Sequence, residues 1–301
     1  MDQSLGDTLL KGAVDLHCHS GPSTMPRIVD HVQALKEAAA AGMRAVLFKD
    51  HYYPSAPIAE LLKTHYGDLG VEPLGGVVLN NAAGGFNVYA LEAALKLGTR
   101  MVWMPTVSAG NHVRHGHRKE LLKSKSPMRR PTELTVLDPR GKMLDEVKEC
   151  LDIIAEYDAG MSGGHLHITE VFPLMEAAKA AGVNRRLLNH PTYTCDGTVE
   201  DIRDLASMGV MIEHSICMFI ESRFKCFTGE ELKSWIDAAG VDNTFFGSDL
   251  GQVNNPTPVE GFRQMITLLA ELGYDESQMR QMIGDNAARF IGLQDNAKRT
   301  N

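Results

Sequence analysis

A chain of 301 residues with 44% hydrophobic content can bury a large core, and its length admits one large domain or two of average size. Thirty Lys and Arg stand against 38 Asp and Glu, a net charge of −8 that argues against a general nucleic-acid or membrane-surface role. Asp2 and Asp7 break any basic-then-apolar leader pattern and no run reaches transmembrane length. The five cysteines (18, 150, 195, 217, 226) show no CxxC spacing, so the expected setting is a reducing cytoplasm without disulfides.

Apolar runs recur about every 25–35 residues with amphipathic segments between them, the rhythm of βα units. The predicted strands are 13–19, 44–51, 73–80, 101–107, 161–167, 186–190, 209–215 and 244–249. They are nearly continuous hydrophobic runs, as expected of strands covered on both faces. Helix starts are written at Asp30, at Thr198 with Asp201, at Thr228 with Glu231, and at Thr257-Pro258 with Glu260. Eight such units predict a single-domain (β/α)8 TIM barrel, whose active site lies at the C-terminal strand ends.

The first strand closes on Asp15-Leu16-His17-Cys18-His19. Side chains alternate across a strand, so His17 and His19 share one face and form half of a metal site, while Cys18 faces the helices. The second run ends in Lys49-Asp50-His51, where Lys49 and His51 share parity. Lys49 is expected to bind a substrate carboxylate, to pair with Asp15 or Glu213, or to bridge two ions as a carbamate. The fourth strand is followed by a long insertion, 109–142, with nine Lys or Arg against three acids. It reads equally as a solvated or oligomer-contact loop and as a lid attracting an anionic substrate. Its His112, His115 and His117 are not expected to bind metal, because a loop positions ligands less well than a strand end.

The fifth run ends in Gly163-Gly164-His165-Leu166-His167. His165 and His167 share a face; the glycines before and the expected cap Thr169 after favour His165 as ligand, with His167 lining the substrate pocket. Glu170 reads as a helix-dipole carboxylate. His190 ends the sixth run before Pro191, which favours extended geometry. Glu213 and His214 have opposite parity, so one faces the interior and the other packs or orients a ligand imidazole. Asp249 ends the eighth run, beside the site where a divalent ion would acidify water, and is the expected metal ligand and general base. No GxSxG elbow or Gly-rich phosphate loop supports a nucleophilic or nucleotide-binding alternative.

With these residues assembled, the chain resembles the amidohydrolase superfamily of metal-dependent hydrolases, in a poorly characterised branch filed as a domain of unknown function. The resemblance runs from Asp15-Leu16-His17-Cys18-His19 to Asn286-Ala287-Ala288-Arg289-Phe290-Ile291-Gly292-Leu293, similar to the helix that closes such barrels. It implies metal ligation by His17, His19, His165 (or His167), His190 and Asp249. The fourth strand, Met101-Val102-Trp103-Met104-Pro105-Thr106-Val107-Ser108, lacks the lysine or glutamate that bridges two metals in many members. The histidine pattern is also similar to the PHP phosphoesterases, but Val77-Val78-Leu79-Asn80 lacks their third-strand glutamate.

The expected activity is therefore metal-dependent hydrolysis of a C–N bond, in an amide or cyclic amide of a small, carboxylate-bearing substrate. Zn2+ is the expected cofactor, with Mn2+, Fe2+ or Ni2+ as alternatives, in one or two ions. Asp249 moves the proton, His51 or His214 donates to the oxyanion, and Lys49, His167 and Glu213 contact substrate. The alternatives are a metal-dependent decarboxylase of an aromatic or unsaturated acid, a phosphoesterase, and a metal-binding assembly protein without catalysis. A homo-oligomer is compatible with all of them.

Overall fold

The computed structural model describes residues 3–116, 124 and 126–293. Its strands are β1 (Val14–Cys18), β2 (Ala45–Phe48), β3 (Glu72–Val78), β4 (Thr99–Trp103), β5 (Gly160–Ser162), β6 (Arg186–Asn189), β7 (Met211–Ser215) and β8 (Thr244–Gly247). All eight are parallel and pair in sequence order. Beyond the strands proper, Cys18 bridges Leu250, so the first and last strands meet and the barrel nearly closes. This is the (β/α)8 fold expected from the eight apolar runs.

The helices are α1 (Gln3–Leu10), α2 (His31–Ala40), α3 (Ala56–Tyr66), α4 (Val88–Lys96), α5 (Gly110–His115), α6 (Asp145–Glu156), α7 (Ile168–Ala180), α8 (Val199–Ser207), α9 (Gly229–Ala239), α10 (Pro258–Glu271), α11 (Glu276–Arg280) and α12 (Asn286–Ile291). Capping boxes at Asp30, Thr198 and Thr228 start α2, α8 and α9, and Thr257 with Pro258 starts α10, all as written in the sequence. Among the described residues no helix is long and apolar enough to cross a membrane.

Two apolar layers follow from strand alternation. Ala45, Leu47, Leu74, Val78, Met101, Trp103, Leu187 and Phe245 fill the barrel interior, while Val46, Phe48, Val77, Val102, Leu188 and Phe246 pack outward against the helices. α12 plugs one end of the interior with Ala287, Ala288, Phe290 and Ile291. It is pinned there by Asn286, whose Nδ2 donates to Val241 O and Thr244 O, both at 2.7 Å.

β1 departs from simple alternation. Val14 and Leu16 belong to the interior cluster, yet Cys18 packs in the outer one. The register explains it: Asp15 faces Val46 and Cys18 faces Phe48, so β1 carries one extra residue, a bulge, between them. The bulge reverses parity and turns His17 and His19 inward.

In the connection after β4, backbone bridges join Ala109 to Leu134 and Leu137 to Met143. Glu170 ties it to α7, accepting from Val136 N at 3.2 Å and from the Thr135 hydroxyl. His117, Arg118, Lys119, Lys123 and Lys125, part of the basic stretch, lie outside the described residues.

Removing the Asn286 amide strands one buried and one part-buried carbonyl, so Asn286→Ala is expected to lower unfolding stability by about 2–3 kcal/mol. Urea denaturation checks this: the midpoint falls while the slope is unchanged.

Candidate active site

A narrow cavity lies at the C-terminal ends of the strands, lined by His17, His19, Lys49, His51, His112, His165, His190, Thr194, Asp249 and Gln252. The Lys49 ammonium in this lining lies 5.0 Å from the centroid of the buried Trp103 ring.

His17, His19 and Asp249 form one group whose donor atoms lie within 4.8 Å of one another. Asp249 Oδ1 is 3.1 Å from His19 Nε2 and 3.5 Å from His17 Nε2. The seam between β1 and β8 builds this group. Asp15 Oδ1 accepts from His17 N at 2.9 Å and from Ser248 N at 3.0 Å, while Asp249 N donates to His17 O at 2.8 Å. Gly247 is required here, because a Cβ would lie 2.6 Å from His17 Cβ and 2.9 Å from Glu213 Cδ. Asp249 itself has φ +48° and His190 φ +36°, left-handed conformations that cost about 1–3 kcal/mol each and persist only where the surroundings enforce them.

Both imidazoles of the group have a fixed tautomer. His17 Nδ1 donates to Glu213 Oε1 at 2.5 Å, and His19 Nδ1 donates to Lys49 O at 2.8 Å. A long approach of Arg27 Nη2 to the same His19 nitrogen, 3.4 Å, cannot be a second hydrogen bond, because the protonated Nδ1 has no lone pair to accept from the guanidinium. Burial, reinforced by the Arg27 charge, pushes the His19 pKa down to about 3, so the ring is neutral. The two Nε2 atoms thus converge with a carboxylate oxygen. A cation satisfies that arrangement, and two imidazoles with a carboxylate suit a borderline divalent ion. Lys49 Nζ lies 2.9 Å from His17 Nε2, a contact that an ion at the group would replace.

His51 lies across from His19, ring centroids 5.1 Å apart. Its Nδ1 is 2.9 Å from the buried Thr106 hydroxyl, which already accepts from Asn80 Nδ2 at 2.8 Å. Among the described residues His51 Nδ1 is the one acceptor that the hydroxyl's own proton meets, so the proton goes there and His51 carries N–H at Nε2 toward the cavity. Burial, then the Lys49 charge, hold the His51 pKa well below its ordinary value.

His165 and His190 also reach the cavity, their rings 4.9 Å apart, but they stand outside the His17–His19–Asp249 group. β5 stops at Ser162, so His165 projects from a loop. The positive φ of His190 replaces the extended geometry expected before Pro191. Its ring nitrogens face Asn189 Nδ2 at 2.5 Å and Thr194 Oγ1 at 2.6 Å.

Three expectations are corrected. His214 faces the outer layer, stacked on Trp235 at 6.0 Å and 24° and near Phe219 and Phe246, so it has no access to an oxyanion. Glu213, not His214, is the inward residue of β7, and it holds His17 rather than contacting substrate. His167, not Thr169, caps α7, accepting from Thr169 N through Nδ1, and it does not line the cavity. Conversely, His112, by sequence a loop residue, lines the cavity, buried and stacked on His165. Its only sequence signal is its place soon after β4.

The family model DUF6282, described as a family of unknown function, matches residues 12–213. No curated protein matches the chain. Among solved structures it is similar to an amidohydrolase from Pseudomonas aeruginosa, with TM-score 0.64, 10% identity, and 96% of this chain and 97% of the other covered. The probable dipeptidase PvdM from Pseudomonas aeruginosa gives 0.63 and 10%, over 97% and 98%. A 2,6-dihydroxybenzoate decarboxylase from Rhizobium gives 0.54 and 13%, over 94% and 99%. At these identities the likeness establishes the fold.

Burial holds the His214 pKa at about 3 against an ordinary 6.5. The unfolded chain takes up this proton below pH 6.5 while the folded one resists until about 3, so stability falls as pH drops through that window. His214→Phe removes this contribution, and its stability between pH 6.5 and 4, followed by urea melts, is expected to decline less steeply than that of the parent.

Proposed function

Of this chain, which belongs to the DUF6282 family, we propose that it is a metal-dependent hydrolase cleaving the C–N bond of a small, carboxylate-bearing amide. One observation carries the reading: two imidazole Nε2 atoms and a carboxylate oxygen converge within coordinating reach at the buried end of β1 and β8. His17, His19 and Asp249 would hold the ion. A divalent cation there supplies Lewis acidity toward a carbonyl oxygen and lowers the pKa of water.

The chain's own residues supply the rest. Asp249 takes the proton of the attacking water and returns it to the leaving nitrogen. His51 donates Nε2–H to the oxygen that gains charge at the tetrahedral stage, held in that tautomer by Thr106 and Asn80. Lys49 sits over Trp103 beside His17 and contributes a positive charge to a cavity whose lining contains a single carboxylate, which favours an anionic substrate. The basic stretch within 109–142 would add to that attraction at longer range.

Elemental analysis of the purified chain is expected to find about one zinc or similar ion per chain, and close to none in His17→Ala. A panel of N-acyl amino acids and carboxylated cyclic amides is expected to release amine or ring-opened acid. Asp249→Asn should lower kcat by about 10^2–10^4-fold. Release of CO2 instead of amine would transfer the site to the decarboxylase reading, which the Rhizobium neighbour favours. Wild-type chain that retains no metal would refute both.

A further inference from the structure

The connection after β4 reaches the cavity through α5. Its Asn111 and His112 are both buried against the side chains that follow β5 and β6. His112 Nδ1 lies 2.9 Å from His165 Nδ1, with the rings stacked at 4.9 Å and 25°. Asn111 Nδ2 donates to Thr194 O at 2.6 Å, and the hydroxyl of the same Thr194 meets His190 Nδ1 at 2.6 Å. The helix is fixed from behind. Gly110 N donates to Leu134 O and Leu134 N to Ser108 O, both at 2.8 Å, and Ser108 N donates to Asn80 Oδ1 at 3.1 Å.

Two facing Nδ1 atoms share one proton, so one ring donates and the other accepts. The direction decides what His165 offers the cavity. If His112 donates, His165 must carry its own proton on Nε2 and presents N–H inward. If His165 donates, its Nε2 is a lone pair directed inward.

We infer that His112 is a positioning residue: it accepts the Nδ1–H of His165 and thereby keeps His165 Nε2 an acceptor toward whatever binds in the cavity. Two features of the site carry the direction. His17 and His19 use the same device, each giving Nδ1–H to an oxygen of a residue beside it, Glu213 for His17 and Lys49 for His19. The opposite wall already supplies donors, the Lys49 ammonium and His51 Nε2–H, with Asp249 the one carboxylate in the lining. A further inward N–H would crowd the chamber with donors, whereas a lone pair complements them. The inference rests on the proposed reaction chamber, and it makes a short helix of the long connection part of the site.

Ring-15N histidine NMR of the full chain reads the tautomer directly, with the His165 signals assigned by their loss in His165→Gln. The wild type, without added metal, is expected to show His165 protonated at Nδ1. His112→Gln, whose amide oxygen can accept, should keep that tautomer. His112→Phe, which preserves a stacked ring but not the acceptor, should move the proton to Nε2. Thermal melts of the two variants separate this effect from misfolding. An Nε2–H tautomer in the wild type, or an unchanged tautomer in His112→Phe, overturns the assignment. Failure of the wild type to bind zinc counts against the proposed function, while the tautomer measured without metal still decides this inference.

Discussion

The site depends on the carboxylate of Asp15. By accepting from the backbone of His17 and of Ser248, it fastens the bulged end of β1 to the end of β8. The bulge makes the histidines face inward although Val14 and Leu16 already occupy the interior. The seam then places Asp249 against both rings. A fully buried carboxylate is expensive to desolvate, and burial raises the Asp15 pKa despite those hydrogen bonds. The structure retains it because no apolar residue could hold two backbone N–H groups across the barrel closure.

The second requirement is that the imidazoles be neutral with the right nitrogen protonated. Glu213 and the Lys49 carbonyl meet it by different means. A buried carboxylate holds His17, whereas a backbone carbonyl fixes His19 without adding charge. The group therefore carries unequal imidazoles. Gly247 is the steric condition for this arrangement, since any side chain there would separate His17 from Glu213.

The barrel was legible because each of its eight strands is an apolar run of its own and several helices announce their starts with capping boxes. The inward histidines at 17 and 19 were legible for an incomplete reason. Their i, i+2 spacing gave the shared face, but the extra residue that orients that face arises from pairing with β2, which no local pattern contains. Glu213 and His214 show the limit of parity. The sequence establishes that they point oppositely, and only the packing of Trp235 and Phe219 onto β7 decides which is outside. His112 was illegible because a residue within a long connection acquires its position from contacts at Leu134 and Thr194, far along the chain.

These two kinds of support divide the cavity. The wall containing His17, His19 and Asp249 hangs on the barrel seam, where backbone hydrogen bonds leave little freedom. The wall containing His165 and His190 has backbone bonds too, His165 N to Pro105 O at 2.9 Å and His190 N to Glu213 O at 2.8 Å, but its ring orientations depend on side-chain contacts from α5 and from the loop bearing Thr194. A change in the connection can therefore alter the second wall without unpicking the first. Catalytic barrels vary chemistry through the loops at their strand ends for this reason, and here the division falls inside the cluster of imidazoles, with His51 between the two walls at 5.1 Å from His19 and 6.3 Å from His165. Its hydrogen-bond chain through Thr106 to Asn80 also anchors Ser108, the residue that fixes the start of the connection. The orientation of His51 and the placement of α5 thus share one amide, which couples the two walls through Asn80.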